Sequence, residues 1–168
     1  EIAQCLVGSE MCIRDRKKEE QNLVRFLREL VIDILNTPEY EQRLIHFETA
    51  GDTLLFSFDS TLLTRAFRNL ILNAFLHGEP DTQVSLHISR EGNTQLILVS
   101  DDGRGIPEQD LENVFCRYYR GTGAGAKPEG SGLGLAIAQN IVQLHGGTIS
   151  VSSRPEEGTS FRICFPLS

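Results

Sequence analysis

Between Asn69 and Gly134 the apolar periodicity of the chain breaks at three places, each time for a polar or glycine-rich cluster: Asn69-Leu-Ile-Leu-Asn73, Asp101-Asp-Gly-Arg-Gly-Ile106-Pro107 and Gly130-Ser131-Gly132-Leu133-Gly134. The flanking segments fix where each cluster sits. Leu62, Leu63, Ala66, Phe67, Leu70, Ile71 and Ala74 recur at helical spacing, and Asp59 or Ser60 can cap the start. The two Asn, four apart, therefore share one face of a helix running to about His77, which extends the same stripe. Segments 83–90 and 95–101 alternate around Glu91-Gly92-Asn93, a hairpin that leaves Asp101 at a strand end. The third cluster opens a helix over 133–145 that stops at Gly146-Gly147. A helix face, a strand end and a helix start must all come from one fold.

The remaining segments complete an α/β plan. Leu23, Phe26, Leu27, Leu30, Val31 and Ile34 give an amphipathic helix over 22–35, ended by Asn36-Thr37-Pro38. Segments 43–49 and 53–58 alternate on either side of Ala50-Gly51-Asp52, which predicts a second hairpin. Pro107 introduces a short helix over 108–115, and strands at 148–153 and 159–165 end the chain. Residues 120–131 lack an apolar period and read as a mobile, ligand-covering loop. The expected architecture is a two-layer α/β sandwich, helices packed on one face of a mixed sheet, with that loop as a lid.

Composition narrows the function classes. A formal charge of −7 and a pI near 5.1 argue against nucleic acid or an anionic membrane as the main partner, because both reward surplus Lys and Arg. The cysteines, at 5, 12, 116 and 164, form no Cys-x-x-Cys pair and have no His at metal-ligand spacing, so a reducing cytoplasm is expected. No apolar run approaches the roughly 20 residues that cross a bilayer. At 168 residues one domain is expected. The segment Cys5–Arg16, which holds the only Met, Met11, has no sustained period and resembles a translated sequencing-adaptor tail. Residues 1–17 are accordingly set apart as a non-native or disordered tail, and 18–168 as the domain of a gene truncated upstream.

Each cluster has a bland reading and a chemical one. Asn is a poor helix former, so two in an apolar helix are either a solvated stripe or a functional pair. A carboxamide oxygen is a hard neutral ligand suited to Mg²⁺, which keeps most of its waters. Gly103 and Gly105 allow a sharp turn beside Asp101, which is either an ordinary post-strand turn or room for a flat ligand walled by Ile106. The free N–H groups of Gly130–Gly134 at a helix start favour polyphosphate. No Gly-Lys-Ser/Thr follows them, and no βαβ unit frames them, so neither a Walker loop nor a Rossmann fingerprint is present. Arg117, Arg120 and Lys127 are either a solvated basic face or grips for phosphate oxygens.

Together, in this order, the clusters resemble the Asn box and two glycine boxes of the nucleotide-binding fold shared by sensor histidine kinases, type II topoisomerases, Hsp90 and MutL proteins. Phe115-Cys-Arg117-Tyr-Tyr-Arg120-Gly121 resembles the lid-anchoring Phe box of that superfamily, and Gly158-Thr159 a minor third glycine box. The resemblance covers about residues 18–168 and implies an ATP site with Mg²⁺. Asn73 matches the metal ligand, Asp101 the residue that meets the adenine amino group, and His77 a position lying against the adenine, although a helix C-terminal cation is an equal reading for it. Asn69 stands where ATP-hydrolysing relatives place Glu as general base, and Asn cannot accept a proton. That favours the histidine kinase branch, with Asn69 and Arg117 at the reacting phosphate. Leu76 replaces an expected phosphate-binding cation, which leaves Arg117, Arg120 and Lys127 to meet that charge.

In that branch the γ-phosphate passes to a His on an upstream dimerisation domain and then to an Asp of a response regulator. No His precedes His46, which falls in a predicted strand. The expectation is a bacterial catalytic domain, its parent anchored in the inner membrane, that binds ATP without phosphorylating itself. Alternatives are a stand-alone serine kinase or ATPase of the same fold, disfavoured by Asn69, and a regulatory module that has lost ATP binding.

Overall fold

The computed structural model describes residues 17–117 and 133–167. Its elements are β1 (Glu19–Asn22), α1 (Leu23–Leu35), β2 (Leu44–Thr49), β3 (Leu55–Phe58), α2 (Ser60–His77), β4 (Gln83–Glu91), β5 (Thr94–Asp101), α3 (Glu108–Leu111), α4 (Gly134–Leu144), β6 (Thr148–Arg154) and β7 (Gly158–Pro166).

Five strands form one mixed sheet in the order β2-β4-β5-β7-β6. Only β2–β4 is parallel; β4–β5, β5–β7 and β7–β6 are antiparallel. Val84, Leu86 and Ile88 of β4, Ile97 and Val99 of β5, and Phe161, Ile163 and Phe165 of β7 alternate into the interior. They meet Leu27, Ile34, Leu63, Phe67, Leu70 and Ile71 from α1 and α2 and Ala138, Ile141 and Val142 from α4. Each fully buried Leu, Ile or Phe contributes roughly 1.5–3 kcal/mol by leaving water. The expected α/β sandwich, helices over one face of a mixed sheet, is what forms.

Two local expectations are corrected. Segments 43–49 and 53–58 do not make a hairpin. β2 pairs with β4, Ile45 opposite Val84 and Phe47 opposite Leu86, whereas β3 pairs with β1 in a separate two-stranded sheet, Phe58 opposite Glu19. The cause is Asn22, which caps α1. Its Oδ1 also accepts from Leu54 N at 3.2 Å and its amide donates to Asp52 O at 2.9 Å, so residues 52–55 are drawn to β1. Meanwhile Ala50 N donates to Ile88 O and continues β2 along β4. The helix expected over 108–115 is likewise only α3, because Asn113 N and Cys116 N bond three residues back, which gives successive turns.

Asp59, 5% exposed, joins three parts of the chain. Its Oδ1 accepts from Leu62 N at 3.1 Å and caps α2. Its Oδ2 accepts from Lys17 N at 2.7 Å, and its own N–H donates to His145 Nε2 at 3.0 Å.

Candidate functional site

The Asn stripe of α2 and the start of α4 are held together by a direct bond. Asn69 Nδ2 donates to the carbonyl of Gly134, the first residue of α4, at 3.3 Å. The absent Cβ of Gly134 would lie 3.8 Å from Asn69 Cβ. At its other end α4 is secured by His145, whose Nδ1–H donates to Ile141 O at 2.8 Å while Nε2 accepts from Asp59 N. Two bonds therefore set the position of α4 on α2.

Asn73, one turn beyond Asn69, is half-buried. Its carboxamide makes no hydrogen bond to any described residue, which leaves the oxygen available as a hard ligand. His77 is exposed in the last turn of α2.

Asp101 lies on the helix-covered face, in line with Ile97 and Val99 and opposite Val84 and Thr159 in register. Burial pushes its carboxyl above the ordinary aspartate range; N–H groups of Gly103 and Thr159 pull it back, and neighbouring Asp102 adds to the rise. Oδ1 takes Gly103 N at 2.9 Å, and a Cβ on Gly103 would crowd that oxygen. Asp102 itself is exposed and accepts from Gln83 N at 2.7 Å, so it serves the β4 end as well as adding charge.

The turn after Asp101 is braced on two sides. Gly105, at φ +78°, has its Cα against the carbonyl of Arg154, with no room for a Cβ. Glu156 N donates to Arg104 O at 2.6 Å, and Ile106 N donates to Ser153 Oγ at 2.7 Å. Across the turn, Arg104 Nη2 meets Glu79 Oε1 at 3.3 Å, and Arg43 donates to Glu79 O and Pro80 O. The loop after α2 thus stays beside the glycine turn. An open depression of about 320 Å³ lies over this strand end, lined by Ser100, Ser152 and Ser160 as well as Asp101, Ser153 and Thr159.

Of the residues expected from sequence, Asn69, Asn73, His77, Asp101, Gly103, Gly105, Ile106, Arg117, Leu133 and Gly134 are described, and the bond between Asn69 and Gly134 joins the first cluster to the third. Arg117 is half-buried after the α3 turns. Arg120, Lys127, Gly130, Ser131 and Gly132, with the expected lid, lie outside the described residues. Sequence reasoning did not single out Ser153, His145 or Glu79. No local pattern marks them, since each acts on a segment distant in the chain.

Residues 58–168 match the family of histidine kinase-, DNA gyrase B- and HSP90-like ATPases. The chain belongs to this ATPase family. Its relatives place it in the histidine kinase branch. It is 35% identical over 144 residues to the sensor histidine kinase YvrG of Bacillus subtilis, covering 86% of this chain and 25% of the relative. It is also 35% identical over 147 residues to the sensor histidine kinase ZraS of Escherichia coli, covering 87% and 30%. The catalytic domain of histidine kinase ThkA superposes with a TM-score of 0.77 at 26% identity over 89% of this chain and 95% of that one. The mycobacterial sensor histidine kinase MprB gives 0.74 at 28% identity, over 88% and 97%. The chain spans less than a third of these curated relatives' length, and the part it spans is the catalytic, ATP-binding domain of a histidine kinase. Among the described residues, no helix of this ATPase domain is long and apolar enough to cross a membrane.

Proposed function

We propose that the domain binds Mg·ATP between α2, the Asp101 turn and the start of α4, and presents the γ-phosphate to a His on an upstream dimerisation domain. The observation that carries this reading is Asp101: a carboxylate held above its ordinary range by burial, on the helix-covered face beside two glycines. The half-buried carboxylate has lone pairs beyond those taken by the Gly103 and Thr159 N–H groups, and the adenine amino group is a donor that fits them. Gly103, Gly105 and Ile106 shape the surface under the base, and His77 stands at its edge. The free carboxamide of Asn73 is the metal ligand. Magnesium there would neutralise charge on the phosphate oxygens.

The backbone N–H groups of Gly130, Ser131, Gly132, Leu133 and Gly134 receive the phosphates at the positive end of α4. Arg117, Arg120 and Lys127 add cationic charge in place of the cation missing at Leu76. Asn69 and Arg117 border the transferring group. Asn69 cannot take a proton, so the site positions ATP for an external nucleophile rather than activating water. In the transfer, the bond from the γ-phosphorus to the β,γ-bridging oxygen breaks, ADP leaves, and a bond from that phosphorus to the acceptor His nitrogen forms. Further proposals are a homodimeric parent anchored in the inner membrane, and a response regulator whose Asp receives the phosphoryl group.

Calorimetric titration of the 168-residue chain with a non-hydrolysable ATP analogue tests this, with and without Mg²⁺, for wild type and Asn73→Ala. Magnesium-dependent binding, weakened at least tenfold in the variant, is the expected result. A folded wild type that binds nothing would overturn the reading in favour of a regulatory module without nucleotide.

A further inference from the structure

Ser153 stands at the end of β6, outside the clusters that carry the nucleotide reading, yet its hydroxyl is the point where three segments of the site meet. Its oxygen accepts from Ile106 N at 2.7 Å. It donates to Gly158 O at 2.8 Å and lies 2.9 Å from Thr159 Oγ1. A hydroxyl has one proton and two lone pairs. With the proton on Gly158 O and one lone pair taken by Ile106 N–H, the remaining lone pair receives the Thr159 O–H. All three capacities of the group are used, and together they hold the backbone after Gly105 and the first two residues of β7.

The bond to Ile106 fixes the backbone directly after Gly105, on the turn that begins at Asp101. The bond to Gly158 fixes the β6–β7 turn where it passes under Asp101 O, so closely that Gly158 has no room for a Cβ. The bond to Thr159 orients the hydroxyl of the residue whose backbone N–H reaches the Asp101 carboxylate.

We infer that Ser153 is a positioning residue for base recognition: it holds the Ile106 backbone and Thr159 so that Asp101 meets the 6-amino group of a purine. The inference rests on the ATP reading above. Ser153 touches no phosphate in this scheme, so its loss is expected to act at the base end alone.

Competition binding on the full chain separates the possibilities, using the imido analogue of ATP and its inosine counterpart, which carries an oxo group in place of the 6-amino group. In Ser153→Ala the ATP analogue is expected to weaken about tenfold while the inosine analogue changes less than twofold. Ser153→Thr, which keeps the hydroxyl, is expected to retain the wild-type preference. Thermal melting of each variant identifies those that fold. Equal weakening of both analogues in a folded Ser153→Ala overturns the inference in favour of a purely structural serine, as does no change in either. If the Ala variant does not fold, a folded Ser153→Cys, whose sulfur is a weak acceptor for the Ile106 N–H, takes its place with the same outcomes. A folded wild type that binds neither analogue overturns the ATP reading and this inference together; a wild type that prefers the ATP analogue, with a folded hydroxyl-removing variant that matches it, overturns this inference alone.

Discussion

The side-chain amide of Asn69 is bonded to the backbone carbonyl of Gly134, 65 residues away, at 3.3 Å. Asn69 thereby acts as a tie between α2, which carries the proposed metal ligand Asn73, and α4, whose start is proposed to receive the phosphates. Removing it with Asn69→Ala loses one net hydrogen bond of about 1 kcal/mol, so nucleotide affinity is expected to fall about fivefold. Asn69→Asp replaces the donor with a charge facing a carbonyl and is expected to cost at least a further fivefold. Calorimetric titration checks both, and an Asp variant that binds better than the Ala variant would contradict the tie.

In the proposed site, Asp101 trades stability for binding. Its folded pKa is raised, so the folded state holds the proton more tightly than the unfolded chain does, and stability from this group falls as pH rises from the ordinary 3.8 through the raised value. At neutral pH the ionised carboxylate is a net cost in the nucleotide-free domain. Asp101→Asn is expected to leave the melting temperature at pH 7 equal to or above wild type while reducing ATP affinity more than tenfold. In the wild type, affinity is expected to decline as pH falls through the same window, because protonation removes an acceptor for the adenine amine. A variant with a lower melting temperature and intact affinity would refute this account.

Two glycines are required by close backbone approach. A Cβ on Gly105 would overlap the Arg154 carbonyl and one on Gly158 the Asp101 carbonyl, and both residues have positive φ, +78° and +113°. Gly105→Ala and Gly158→Ala are each expected to lose about 1–3 kcal/mol. Gly92→Ala has open space at φ +59° and is expected to lose less than either. Urea unfolding measures all three.

His145 is buried, with both ring nitrogens bonded and its ring in a T-shaped contact with Phe165. His145→Ala leaves the Asp59 N–H buried without its partner and opens a cavity, for an expected loss of about 2–4 kcal/mol. His145→Gln keeps a donor and an acceptor and is expected to lose less. Equal losses in denaturant unfolding would show that packing alone accounts for the residue.

What the sequence made legible follows from distance along the chain. The helix of Asn69 and Asn73 and the β4–β5 hairpin are set by neighbours within a few residues, and they form as expected. The misread segments are those whose pairing is decided from afar. Nothing in Glu19 and Glu20 announces a strand, and β1 exists because Asn22 captures residues 52–55. Ser153 bonds a residue 47 positions away and His145 one 86 positions away, so no local pattern could mark either.

The parallel pairing of β2 with β4 has a kinetic consequence. β4–β5 and β6–β7 are joined by short turns, whereas β2 reaches β4 only after β3 and the whole of α2 have been spanned. Closing that loop costs chain entropy before any ladder bond rewards it. β2 is also an edge strand, with Leu44 56% exposed. Amide hydrogens of β2 are therefore expected to exchange with solvent well ahead of those in central β5, which native-state hydrogen exchange reads directly. This edge strand is then the seam along which the domain begins to come apart, and the strands around β5, which carries Asp101, outlast it.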